Sequence, residues 1–178
     1  MRSFIALEVG EQVQKECQSI IGNLKEKGFK AKWVEEENLH ITLFFLGDIS
    51  NHEMEKMAYL IRKLNINPFR VIINRIGFFQ KATVPTSIWL GIIPCEPLHY
   101  LYASMKNELE VILNKTFSPK LIPHLTLGRI KAVPDDWNVI IRRISVENIQ
   151  IGKIMVSLKS STLTEKGPVY KTLEAKAI

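Results

Sequence analysis

The sequence is poor in the residues that build disulfide or metal scaffolds. Only two cysteines, Cys17 and Cys95, occur in 178 residues, and neither belongs to a Cys-x-x-Cys pair. A disulfide framework and a thiolate zinc site are therefore both excluded. Histidine is scarce too, at positions 40, 52, 99 and 124. No His-x-x-x-His spacing and no carboxylate at ligand spacing accompanies His40 or His124, so no metal site is expected. No stretch approaches the roughly 18 consecutive apolar residues needed to span a bilayer. The opening MRSFIALEV passes at once into polar residues without a cleavage pattern. The expectation is a cytoplasmic protein with no membrane contact.

What remains is an ordinary globular composition, 46% hydrophobic and 24% charged, in a chain long enough to bury a core without staples. The net charge is +6, spread along the sequence. That balance suits an anionic partner such as RNA or a nucleotide, and equally suits a surface charged only for solubility.

Apolar periodicity and turn residues give a coarse order of elements. Residues 2 to 9 read as a strand, Glu11 to Lys27 as a helix closed by Gly28, and NLHITLFFLG as a core strand closed by Gly47-Asp48. Ser50 and Glu53 have capping-box spacing for a helix running to about Leu64. FRVIINRIGFF and TSIWLGII read as strands separated by the loop QKATVP, and Leu98 to Leu113 has helical spacing. LIPHLTLGRI is a further strand, with Pro123 tolerated at its start. VIIRRISVENIQIG, KIMVSLKSSTL and PVYKTLEA all read as strand material. Strand and helix units with several hairpins predict an α+β fold.

One pattern occurs twice. NLHITLFFLG and IPHLTLGRI share His-x-Thr-Leu on a strand, and with only four histidines available a duplicated lobe explains both copies with one assumption. On a strand, residues i and i+2 share a face. His40 and Thr42 therefore project together, as do His124 and Thr126, each pair backed by apolar neighbours. If the two strands face one another, two imidazoles and two hydroxyls converge. One imidazole can deprotonate an attacking water while the other protonates a departing ribose oxygen. The hydroxyls can donate to phosphate oxygens as charge builds in the transition state. This is chemistry for opening a cyclic phosphodiester without metal.

Other candidates carry weaker signals. His52 and His99 fall in first turns of helices and read as exposed surface. Arg129 follows the second motif, where its planar fork could reach a phosphate. Strand alternation turns it away from Thr126, unless a bulge or bend at Gly128 restores it. Phe45 and Trp89 read as core by default, and Phe44 is open between core and stacking. Phe79, beside a polar loop, is a candidate for stacking on a nucleobase. Arg142-Arg143 and the group Lys25, Lys27, Lys30 and Lys32 read equally as an RNA-facing rim or as solvated surface.

These motifs, in this order from MRSFIALEV through WVEEENLHITLFFLGDI, PFRVIINRIGFF, SIWLGI and PHLTLGRI to GPVYKTLEA, resemble the 2H phosphoesterase superfamily. The resemblance is to its bacterial and archaeal RNA 2′,3′-cyclic phosphodiesterases, historically called 2′-5′ RNA ligases. It covers nearly the whole chain. It implies one domain over residues 1–178, made of two interleaved, pseudo-symmetric ferredoxin-like lobes with antiparallel sheets around a central cleft. The implied reaction is hydrolysis of RNA 2′,3′-cyclic phosphate ends to 2′-phosphate ends, without metal or nucleotide cofactor, with weak reversible 2′-5′ joining. His40 and His124 match the catalytic positions, Thr42 and Thr126 their partners, Arg129 the phosphate-contacting arginine, and Phe79 an aromatic near the terminal base. Thr86 stands where relatives often carry an arginine, so a contact made through that arginine is absent or relocated. His40 is taken as acid and His124 as base. The implied partner is RNA with a cyclic phosphate end, tRNA halves or other cleavage products included. Both histidines lie in one chain, so a monomer suffices. Two alternatives stand beside this reading: a phosphodiesterase for another small cyclic phosphate or a 2′-5′ oligonucleotide, and a non-catalytic RNA-binding module.

Overall fold

Strand β1 (Arg2–Glu8) is followed by α1 (Glu11–Glu26), β2 (Lys30–Trp33), a 3₁₀ turn (Glu36–Asn38), β3 (His40–Asp48) and α2 (Asn51–Lys63). The hairpin β4 (Val71–Lys81) and β5 (Val84–Ile92) leads to α3 (Glu96–Leu113) and β6 (His124–Ala132). Then come α4 (Trp137–Arg143), β7 (Ile149–Ile151) and the long hairpin β8 (Met155–Thr164) and β9 (Gly167–Ala177). The computed structural model describes residues 1–165 and 167–178. Strand pairing runs β7-β4-β5-β6-β3-β1-β8-β9, with β2 added on β6. All strand pairings among the described residues are antiparallel, so the fold is α+β.

Local chemistry sets the boundaries that matter for the site. The Ser50 hydroxyl accepts from the Glu53 amide at 3.2 Å, and the Glu53 carboxylate accepts from the Ser50 amide at 2.7 Å. This reciprocal cap starts α2 sharply after β3. Gly28 and Gly47 adopt φ of +87° and +82°, the left-handed region that glycine enters without a Cβ clash, and they end α1 and turn the chain within β3.

Ile41, Leu43, Leu125, Leu127, Ile88 and Leu90 point inward and join Cys17, Ile21 and Leu24 of α1, Met57 and Ile61 of α2, and Leu101 and Met105 of α3 in one core. Helix α1 packs against β7 at one end of the strand path, while α2 packs against β8 and β9 at the other and against α3. The hydrophobic anchoring of β3 and β6 fixes which of their residues face the other way. No helix among the described residues is long and apolar enough to cross a membrane.

Two sequence expectations are corrected and one element is added. Val139 to Arg143, read as strand, lies in α4. Trp137, Ile140, Ile141 and Ile144 all pack on the core, and their 3–4–7 spacing is that of a helix face, so tertiary burial overrides the β-branched preference. The loop read at QKATVP shrinks to Ala82-Thr83, with Gln80 and Lys81 paired to Pro85 and Val84. Ala82 takes φ +54° to close this tight hairpin. Strand β2, unassigned in sequence, forms by pairing with β6.

Candidate active site

Strands β3 and β6 meet at a single antiparallel pair, Ile41 opposite Leu125. Both side chains are fully buried, so the residues on either side of them, His40, Thr42, His124 and Thr126, project from the opposite face. Antiparallel register then sets His40 beside Thr126 and Thr42 beside His124. The two motifs, far apart in sequence, share one face because their apolar partners share one core.

The imidazoles are held alike. His40 Nδ1 donates to the Asn38 carbonyl at 2.7 Å, and His124 Nδ1 donates to the Ile122 carbonyl at 2.8 Å. A carbonyl can only accept, so each Nδ1 carries hydrogen and each Nε2 is left for proton transfer. His40 Nε2 lies 3.0 Å from the Thr42 hydroxyl. Aromatic rings flank both histidines. Phe4 and Tyr170 sit 4.9 and 5.5 Å from His40, and Phe79 and Trp89 sit 4.9 and 6.2 Å from His124. Burial is the main influence on His40 and pushes its pKa below the ordinary value. The Lys159 ammonium and His124 act the same way, against the Asn38 hydrogen bond and the Glu8 carboxylate. Lys159 and Glu8 pair at 2.8 Å, with Glu8 directly across from His40 on β1.

Each motif strand carries a bulge one residue after its threonine. On β3, Thr42 pairs with Ala6 and Phe44 with Ile5, skipping Leu43. On β6, Thr126 pairs with Trp89 and Gly128 with Ile88, skipping Leu127. An extra residue reverses the alternation beyond it. Arg129 therefore returns to the histidine-bearing face, opposite Ser87 on one side and Lys32 on the other. The same slip corrects the reading of Phe45: it is 70% exposed, while Phe44 is buried and stacks on Tyr102 at 4.4 Å. Trp89 is corrected as well. Its neighbours Ile88 and Leu90 are the core residues, and its ring lies against His124.

Trp89 depends on two glycines. A Cβ on Gly77 would come within 2.5 Å of its ring, and one on Gly91 would meet Arg75 Nε at 2.3 Å and the Trp89 ring at 2.9 Å. Arg75 thus lies across β5 at Gly91, whose partner on β6 is His124. No local pattern in the sequence marks Arg75, because only the β4–β5 register brings it near the motif. Tyr170 was visible only as part of GPVYKTLEA. Burial raises its pKa, against the opposing pull of Arg129 and Arg2, so β9 carries it close to both His40 and Arg129. Phe79 is 39% exposed and covers His124 edge-on. His52 lies on the helical side, in an open hollow of about 360 Å³ shared with Tyr59 and Glu108. His99 bonds its own helix through the Cys95 carbonyl, and both histidines are exposed. Among the described residues no three His, Cys, Asp or Glu side chains are grouped to hold a metal ion.

A family model described as LigT like phosphoesterase matches residues 7–89. A Thermotoga maritima protein named RNA 2′,3′-cyclic phosphodiesterase is 39% identical over 97% of this chain and 93% of its own length. The chain belongs to the LigT/RNA 2′,3′-cyclic phosphodiesterase family of the 2H phosphoesterase superfamily. An Archaeoglobus fulgidus member of the same name is 32% identical over 97% of this chain and 98% of its own length. Among solved structures, a Thermus thermophilus protein superposes with a TM-score of 0.76 at 25% identity, covering 99% of this chain and 97% of that one. Escherichia coli LigT complexed with ATP gives 0.76 at 19% identity over the same shares, a likeness of fold alone. The family model takes in the first motif of this phosphoesterase. The full-length relatives extend across the second.

Proposed function

We propose that this phosphoesterase hydrolyses RNA 2′,3′-cyclic phosphate ends to 2′-phosphate ends, using His40 and His124 as its proton-transfer pair. The observation that carries the reading is the Ile41–Leu125 register, which supports two His-x-Thr units acting on one phosphate. Water attacks phosphorus opposite the ribose 3′ oxygen, and His124 Nε2 takes its proton. The bond from phosphorus to the 3′ oxygen breaks, His40 protonates that oxygen, and phosphate stays on the 2′ oxygen. Thr42, Thr126 and Arg129 donate to the non-bridging oxygens as charge develops. With a 5′-hydroxyl attacking phosphorus in place of water and the 3′ oxygen leaving as before, the same groups join ends through a 2′-5′ linkage.

The burial of His40 works against its carrying a proton in the free protein. A phosphodiester anion within about 4–6 Å raises such a pKa by about one to three units. His40 therefore gains its proton as substrate binds, which reconciles the acid role with its burial. The net charge of +6 and the cross-strand pair of Lys32 and Arg129 favour RNA over a neutral ligand.

The fold reading that goes with this mechanism is one domain of two interleaved, pseudo-symmetric lobes. The matching bulges of β3 and β6 support it, as does α1, which follows β1 but packs on β7. We take the enzyme to work as a cytoplasmic monomer, since one chain supplies both histidines.

The test is turnover of an RNA ending in a 2′,3′-cyclic phosphate, in EDTA, beside the same RNA ending in a linear phosphate. Only the cyclic end should react. Each of His40→Ala and His124→Ala should cut kcat by roughly 100-fold to 10,000-fold. Turnover that survives both substitutions would remove the reading.

A further inference from the structure

We infer that Arg75 holds a backbone phosphate of the strand whose 5′-hydroxyl attacks, a subsite for the RNA being joined rather than for the RNA that carries the cyclic end. The inference rests on the function proposed above, with His124 as its base.

Arg75 owes its position to a bulge. Ile73 is buried in the core, and plain alternation would send Arg75 in beside it. Ile73 pairs with Ile92 and Arg75 with Gly91, so β4 skips Asn74 and turns Arg75 to the opposite face. Gly91 pairs in turn with His124, which sets Arg75, Gly91 and His124 in one row across β4, β5 and β6. The arginine lies flat along this row. A Cβ on Gly91 would stand 2.6 Å from Arg75 Cγ and 2.9 Å from the Trp89 ring, so glycine leaves the room through which the side chain reaches over β5 toward His124. Arg75 is exposed, and among the described residues no carboxylate pairs with it. Its charge is free to meet an anion on the catalytic face.

Direction assigns that anion. The strand order β4-β5-β6-β3 puts His124 between Arg75 and the strand of His40. In-line attack sends the 3′ oxygen toward His40 and brings the nucleophile in beside His124, the side on which Arg75 stands. Water needs no cation there, whereas a 5′-hydroxyl arrives on a chain whose first phosphodiester lies one ribose away. The backbones of β4 and β6 are two strand spacings apart, about 10 Å, and the reach of Arg75 over Gly91 shortens that span to roughly one ribose. Arg129 lies in another row, opposite Ser87 and Lys32, and is left for the reacting phosphate. In joining, His124 Nε2 takes the 5′-hydroxyl proton, the bond from the 5′ oxygen to phosphorus forms, the bond to the 3′ oxygen breaks, and His40 protonates that oxygen. Arg75 meanwhile offsets the charge of the second phosphate brought up beside the first.

The experiment supplies an RNA ending in a 2′,3′-cyclic phosphate and two 5′-hydroxyl acceptors, a dinucleotide with its natural phosphodiester and the same dinucleotide with a neutral methylphosphonate. Joined over hydrolysed product is measured for each acceptor in the wild-type enzyme, in Arg75→Met and in Arg75→Lys. Comparing acceptors within one enzyme cancels any general loss of activity. The charged acceptor should lead by roughly tenfold to hundredfold in the wild type, the two should be equal in Arg75→Met, and Arg75→Lys should keep part of the lead. Equal acceptors in the wild type overturn the inference, as does hydrolysis with no joining to either, or a lead that survives Arg75→Met. A methylphosphonate placed instead just 5′ of the cyclic end probes the other strand: a hydrolytic penalty there that disappears in Arg75→Met assigns the arginine to the cyclic-end strand and also overturns it. A wild-type enzyme that neither hydrolyses nor joins would overturn the function itself.

Discussion

His40 should titrate below its ordinary value of about 6.5 in the free enzyme and move upward when a phosphate occupies the site. Burial is its largest influence, with Lys159 and His124 adding in the same direction, and both causes penalise the imidazolium. A phosphate oxygen within reach of Nε2 puts a negative charge about 5 Å from the ring. At an effective dielectric of about 20 that attraction is worth about 3 kcal/mol, or roughly two pH units at about 1.4 kcal/mol each. The assay follows the imidazole Cε1–H signals of the four histidines by NMR against pH, with and without a nucleoside 2′-phosphate product. His40→Asn identifies the signal of interest. Two results would refute the reasoning: a free-enzyme midpoint above about 6.5, or a midpoint that stays put or falls on adding the phosphate. The second would move the acid role away from His40.

The same depression has a consequence for stability. A histidine whose folded pKa is lowered stabilises the fold fully above its unfolded value and loses that contribution as pH falls through the folded one. Thermal midpoints should therefore drop as pH is lowered from 7 through about 6.5 and below, and the dependence should flatten in His40→Asn; equal slopes would contradict the burial argument. Gly77→Ala places a Cβ within 2.5 Å of the Trp89 ring, so it should cost about 1–3 kcal/mol by urea unfolding and lower turnover by displacing the ring that backs His124. Burial pushes the Cys17 thiol up to about 12; at pH 8 an alkylating reagent should modify Cys17 only after denaturation, as peptide mass analysis would report.

The candidate proton-transfer pair, His40 and His124, was visible in sequence because its His-x-Thr motif is written twice. A His-x-Thr unit on an apolar strand declares its own face through period-two alternation, and only the pairing of the two strands needed the structure. The capping box at Ser50 and the turn at Gly28 were visible for a similar reason, since each depends on residues within one turn of chain. Arg129 and Phe45 show where such reasoning stops. Alternation is a matter of parity, and one skipped residue at Leu127 or Leu43 reverses it. Nothing local marks those leucines as bulges: they are buried apolar residues like their neighbours, and the register of β5 and β1 decides the matter. Arg75, Tyr170 and Lys159 come from strands remote in sequence and reach the histidines only through the sheet. Val139 to Ile141 misled for the opposite reason. Their β-branched side chains favour a strand, whereas the available core surface accepts Trp137, Ile140, Ile141 and Ile144 as one helical face.

The central claim is that both histidines act on one phosphate and release the 3′ oxygen. Its most direct test is product analysis of labelled RNA bearing a 2′,3′-cyclic phosphate, incubated in EDTA with the intact enzyme, with His40→Ala and with His124→Ala. A 2′-phosphate end is the expected sole product, formed by the intact enzyme and nearly abolished in each variant. A 3′-phosphate product, or hydrolysis that persists without either imidazole, would contradict the claim.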